Sequence, residues 1–206
     1  MVFLVAAELL VVFSGIILFI WRLQFVFPDF AWFLLGFLVL TFFVHRDSLQ
    51  NLGIGSHGLI PGMKAVFAPT LIISAVLVLG GIAFGTFMIG ISNWKELSGF
   101  GRYFAWCLFQ EFGLQSFFTN RIFQILKDPK KTAWVSGTMF AAFHIPNPVL
   151  MPITFFGGVI LARIFIKNRN LVPLALAQAI IGALTSAAIP VSWHHGLRVG
   201  PGYYHY

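Results

Sequence analysis

The chain opens on MVFLVAAELLVVFSGIILFIW, a run with one acid, Glu8, and no base until Arg22. Apolar runs of similar character recur to residue 190, separated by short polar breakers. About 20 consecutive apolar residues are enough for a helix to cross the hydrocarbon core of a bilayer. Such a crossing satisfies its backbone groups internally only as a helix or a closed barrel. The runs do not alternate as barrel strands do, so the fold class expected is all-α, a polytopic transmembrane helical bundle. Spans are expected at roughly 2–21, 30–44, 66–92, 103–126, 132–145, 149–166 and 172–190, about seven, with six to eight compatible with the short second and fifth.

Composition supports this expectation: 59% of residues are hydrophobic and only 9% are charged, too few to coat the surface of a water-soluble fold of 206 residues. The N-terminal run lacks a basic start and a small-residue cleavage site, so it is expected as a retained span and not a removed signal peptide. Breakers fall between the runs: Pro28-Asp29, Gly53 to Gly62, Lys127 to Lys131, Pro146-Asn147-Pro148 and Lys167 to Asn170. No separate soluble domain fits between them, and residues 1–206 are expected to form a single integral membrane domain.

The formal net charge of +7 does not point to nucleic acid, because no basic cluster has the density of a phosphate-binding patch. The bases flank the apolar runs, as topology signals and headgroup contacts do. One side of the seven-span arrangement collects Arg46, Lys64, Arg121, Lys127, Lys130, Lys131, Arg163, Lys167 and Arg169. The other has Arg22, Lys95, Arg102 and Arg198, so the first is expected to face the cytoplasm. Cys107 is the single cysteine, which rules out an internal disulfide and a thiolate metal cage.

Polar residues interrupt three runs. In the fourth, Cys107, Glu111 and Gln115 follow i, i+4 spacing, with Gln110 about 100° around the helix. An ionised acid at the centre of a membrane helix costs about 2.5 to 3.5 kcal/mol, so Glu111 is expected to face the bundle interior, as packing glue or as a functional group. In the fifth, Phe140 and His144 share a face just before Pro146 stops the helix. The seventh carries Gln178, Gly182, Thr185 and Ser186 along one side. Small and polar residues at this spacing serve ordinary helix packing, and together the three helices could also line a shared wet cavity.

These residues, in this order, resemble the CPBP intramembrane proteases, which include the type II CAAX prenyl endopeptidase and bacteriocin-processing or immunity proteins. The family pattern is Glu-Glu-x-x-x-Arg, then Phe-x-x-x-His, then His-x-x-x-Asn or Asp. Here the corresponding positions read Gln110-Glu111-x-x-x-Gln115, Phe140-x-x-x-His144 and Gln178-x-x-x-Gly182, and the similar region covers roughly 66–190. The resemblance implies water attack on a peptide bond, with Glu111, His144, Gln178 and Gln110 at the catalytic positions. Gln115, Phe140 and Gly182 would line the substrate cavity. It implies no metal and no cofactor, and, as partners, membrane lipids and a membrane-embedded or lipidated protein substrate. The expected setting is the cell membrane, as a multi-pass protein of a prokaryotic plasma membrane. Gln110 stands where the family has its water-activating Glu, and a carboxamide cannot take a proton from water near neutral pH.

Three classes of function follow. One is a CPBP-type endopeptidase working through Glu111 and His144, with Gln178 donating to the developing oxyanion. Another is a non-hydrolysing relative that binds a membrane peptide or partner in the same cavity. The last is a small transporter in which Glu111 carries protons. The C-terminal SWHHGLRVGPGYYHY reads as an interfacial anchor of Trp, Tyr and Arg, or as a flap that brings polar groups to the cavity mouth.

Overall fold

In a computed structural model, residues 2–88 and 94–205 are described, and their regular structure is entirely helical. Helix α1 runs Val2–Val26 and contains a wide π-helical turn at Phe19–Leu23. Helix α2 is Phe30–Val44 and α3 is Leu59–Ala83. Helix α4 is a long rod built from Trp94–Glu111, a π-helical stretch Phe112–Thr119, and Asn120–Leu126. Helix α5 is Pro129–Ala142, α6 Leu150–Asn168, α7 Val172–Ala188 and the short α8 Val191–His194. Two 3-10 turns, His195–Leu197 and Gly200–Tyr203, close the chain. The end of the third expected span, 89–92, and the side chain of Lys95 lie outside the described residues.

All-helical structure agrees with the expectation, but a bundle of about seven spans does not. Among the described residues, three helices are long and apolar enough to cross a membrane: α1, α3 and α6. The reason is length and polarity. At 1.5 Å per residue, α2, α5 and α7 reach only about 22, 21 and 26 Å, short of a core of about 30 Å. The rod α4 has the length, but its middle holds the buried polar side chains Glu111, Gln115, Ser116, Thr119, Asn120 and Arg121. In contrast, α3 directs Leu71, Ile72, Val76 and Leu79 outward, each more than half exposed, as a helix facing lipid does.

Helix α5 packs along α6, α3 along α7, and α7 also along α4. The α5–α6 crossing is close because Gly137 and Gly158 meet there: a Cβ on Gly137 would lie 2.6 Å from the Phe155 carbonyl oxygen. The main core joins Val12, Leu38, Phe42, Leu114, Phe117, Phe118, Ile122 and Phe140, so the π-helical stretch of α4 faces α1, α2 and α5. The loop between α2 and α3 is fastened by side chains from elsewhere. Ser116 Oγ donates to the Leu52 carbonyl at 2.6 Å, Asn120 Nδ2 to that of Asn51 at 2.8 Å, and Asn170 Nδ2 to those of Gly55 and His57, each at 2.8 Å.

Arg121, expected as a cytoplasmic base, is fully buried instead. One Nη donates to Asp47 at 2.7 Å and to the Thr41 carbonyl at 3.2 Å, and Nε lies 3.4 Å from Glu8. Its guanidinium sits 5.8 Å from the centroids of both Phe42 and Phe117. His45 Nε2 is 3.0 Å from the other oxygen of Glu8. A guanidinium in apolar surroundings needs anionic partners, and α1 and the loop after α2 supply one each.

Candidate functional site

The α4–α7 seam brings two of the expected residues into direct contact. Gln178 Nε2 donates to Gln110 Oε1 at 2.7 Å. This bond leaves the Gln110 amide nitrogen and the Gln178 oxygen for other partners, and Gln178 Oε1 is buried without one. Both side chains are only partly buried, so the seam is open to the surroundings of the bundle.

At the next position of α4, about 100° around the helix, Glu111 is fully buried. Its Oε2 accepts from Gln115 Nε2 at 2.9 Å, and Gln115 Oε1 accepts from Thr119 Oγ1 at 2.9 Å. Thr119 Oγ1 lies 3.0 Å from Ser136 Oγ on α5. The carboxylate is thus the head of an internal chain of hydrogen bonds, while its second oxygen, Oε1, has no partner. The π-helical geometry begins at the next residue, Phe112. Such widened turns recur at functional sites, where they re-aim side chains.

Phe140 and His144 share a face of α5 and its C-terminal extension, their rings edge to face at 4.9 Å. His144 Nδ1 is 2.7 Å from the Phe140 carbonyl oxygen. Because a carbonyl only accepts, Nδ1 carries the proton. Among the described residues the ion pairs are Glu8 with His45 and Arg121, and Arg121 with Asp47, so Glu111 and His144 do not meet within 4.0 Å.

At Gly182 a Cβ would fall 2.0 Å from the Tyr103 hydroxyl oxygen, so the space of a side chain at 182 is filled from α4. Tyr103 packs against the cluster that holds the Cys107 thiol. The stripe on α4 therefore runs Tyr103, Cys107, Glu111, Gln115, Thr119. The sequence reading found its middle three members. Tyr103 and Thr119 were missed, although both continue the same i, i+4 register. Ser136 gave no such signal, because it joins the stripe only through the packing of α5.

The tail folds onto the loop that follows His144. Asn147 Nδ2 donates to the carbonyls of His194 and Arg198, at 2.8 and 3.0 Å, and the Gly200 N–H donates to that of Ile145 at 2.9 Å. Two of its histidines make contacts within the tail: His195 stacks on Tyr203 at 4.1 Å, and His194 Nδ1 accepts the Leu197 N–H. Among the described residues no three His, Cys, Asp or Glu side chains converge as metal ligands would.

The stretch 92–184 matches the family described as Type II CAAX prenyl endopeptidase Rce1-like. No curated protein and no solved structure matches the chain. The match takes in α4, α5, α6 and most of α7, and with them every residue of the candidate site. Over residues 92–184 the chain is homologous to the Rce1-like type II CAAX prenyl endopeptidases of the CPBP family.

Proposed function

We propose that this chain is a non-hydrolysing relative of the CPBP proteases that binds a peptide segment of a membrane-embedded or lipidated protein at the α4–α7 seam. The observation that carries this reading is the Gln110–Gln178 hydrogen bond. By the resemblance, these positions hold the water-activating Glu and an oxyanion-binding His. Two carboxamides bonded to each other have no group of useful basicity, yet each retains a polar atom that suits a peptide N–H or C=O. Glu111 is committed to Gln115 and is not paired with His144, which supports binding over hydrolysis. The apolar exteriors of α1, α3 and α6 support a setting in the cell membrane, crossed more than once, with bilayer lipids as the other partners.

A hydrolytic reading has one observation in its favour: Glu111 is buried with Oε1 unpartnered, the acceptor that a nucleophilic water needs. Mapping of protein N-termini in membranes decides between the two. Cells carrying the wild type, Glu111→Gln or His144→Ala are expected to show the same termini. A cleavage product present with the wild type and lost in both variants would establish the peptidase and exclude the binding-only reading.

A further inference from the structure

Gly182 replaces the last residue of the family motif and by itself offers the site nothing polar. The structure puts a polar atom there from another helix: the Tyr103 hydroxyl lies within 2.0 Å of where a Cβ on 182 would be. Any larger residue at 182 would displace it, so the glycine and the tyrosine are matched. The surroundings of the ring are apolar: Phe100, Phe104, Leu108, Ala175 and Ala179. The polar neighbour in that cluster is the Cys107 thiol. Sulfur is a weak acceptor and a weak donor, so the hydroxyl stays available to an oxygen.

Gln178 lies one turn before Gly182 on α7, and its Oε1 is a buried acceptor without a partner. A donor and an acceptor on successive turns of one helix face suit the N–H and C=O groups that alternate along one edge of an extended strand. We infer that Tyr103 is a binding residue of the seam, its hydroxyl donating to a backbone carbonyl of an extended peptide while Gln178 Oε1 accepts that peptide's N–H. This assignment rests on the peptide-binding reading and adds to it the conformation of the ligand and the residue that reads its carbonyl.

The test uses the full chain in lipid nanodiscs and a short valine-rich peptide bearing a palmitoyl chain and a fluorophore, since β-branched residues favour extended backbone. A second set of probes replaces one amide at a time by an ester, whose carbonyl accepts more weakly. Tyr103→Phe is expected to weaken binding of the amide peptide about fivefold, the effect of one neutral hydrogen bond. An ester also removes an N–H, so every probe is measured with both proteins: on the ester at the carbonyl that Tyr103 reads, Tyr103→Phe should change affinity by less than about twofold, because that bond is already weakened. Equal weakening on every probe, or none on the amide peptide, would overturn the role of Tyr103 while leaving peptide binding intact. Failure of the wild type to bind the amide peptide would overturn both.

Discussion

One rod, α4, carries both Arg121 and Gln110, and the two meet the problem of polarity in an apolar molecule differently. Arg121 is fully buried among charged partners, Glu8 and Asp47, drawn from α1 and the loop after α2. Gln110 is partly buried, neutral, and bonded to another carboxamide across a seam that reaches the surface of the bundle. A buried ion cluster spends its charges on one another and fastens three elements together. An amide pair satisfies half of its capacity and keeps the rest for something else. The first arrangement serves the fold, and the second is suited to recognition.

The widest separation between the two is expected on removing Arg121. Arg121→Met leaves two buried carboxylates uncompensated, and a loss of about 3–5 kcal/mol is expected, read from unfolding in detergent. Replacing Glu8, His45 and Asp47 by Leu in the same chain should recover most of that loss, because an apolar cluster of similar volume has no desolvation penalty. Failure to recover it would show that the charges specify the packing of α1 and do more than satisfy one another.

Within the interior chain of hydrogen bonds a smaller effect is expected. Gln115→Leu strips Glu111 of the donor on Oε2 and leaves Thr119 with Ser136 as its acceptor, at about 1–3 kcal/mol. Gln115→Glu should destabilise further, since two carboxyl groups would then face each other. If both substitutions leave unfolding unchanged, the stripe on α4 does not hold Glu111 in place.

The amide seam should respond least among the buried features. Gln110→Leu and Gln178→Leu are each expected to destabilise by about 1 kcal/mol, and the double variant by less than their sum, since the second change removes a group already left unpaired. Strict additivity in this cycle would mean that the two amides do not depend on each other, and the contrast with Arg121 would lose its basis.

How much of this was legible in the sequence follows from the distance over which each feature acts. Helices were legible because apolar runs and breakers are local, and the Cys107, Glu111, Gln115 stripe was legible because its spacing lies within one helix. The number of spans was not, because hydrophobicity alone does not tell a helix that meets lipid from one that meets the core. Arg121 reads as a loop base beside Lys127 because its partners lie 74 residues away at Asp47 and further still at Glu8. The Gln110–Gln178 contact joins positions 68 apart, and the sequence placed both in one cavity without pairing them. Gly182 looked like a lost side chain, and only the packing of α4 on α7 shows that Tyr103 occupies its space.

The weakest polar feature is the one open to water, and it extends the comparison to a carboxylate with no buried partner. Asp128 caps α5, its Oδ1 accepting the N–H groups of Lys130 at 2.7 Å and Lys131 at 3.0 Å, with Pro129 at the first helical position. The Lys131 N–H first, and after it that of Lys130 and the charges of the two lysines, holds this carboxyl below its usual range against the opposing effect of burial. A depressed folded-state value means that the cap stabilises fully above the unfolded-state value, about 3.9, and that this stabilisation is lost as pH falls through the folded-state value. Asp128→Ala should therefore lower Tm slightly at pH 7, with the gap closing below about pH 4 as the wild-type carboxyl is protonated. Asp128→Asn keeps an oxygen acceptor and should stay closer to the wild type at pH 7. A gap between wild type and Asp128→Ala that stays constant from neutral to strongly acidic pH would show that the charge of Asp128 contributes nothing to the cap. Exposed carboxylates would then act here only as hydrogen-bond acceptors, leaving the interior cluster at Arg121 as the place where charge itself matters to the fold.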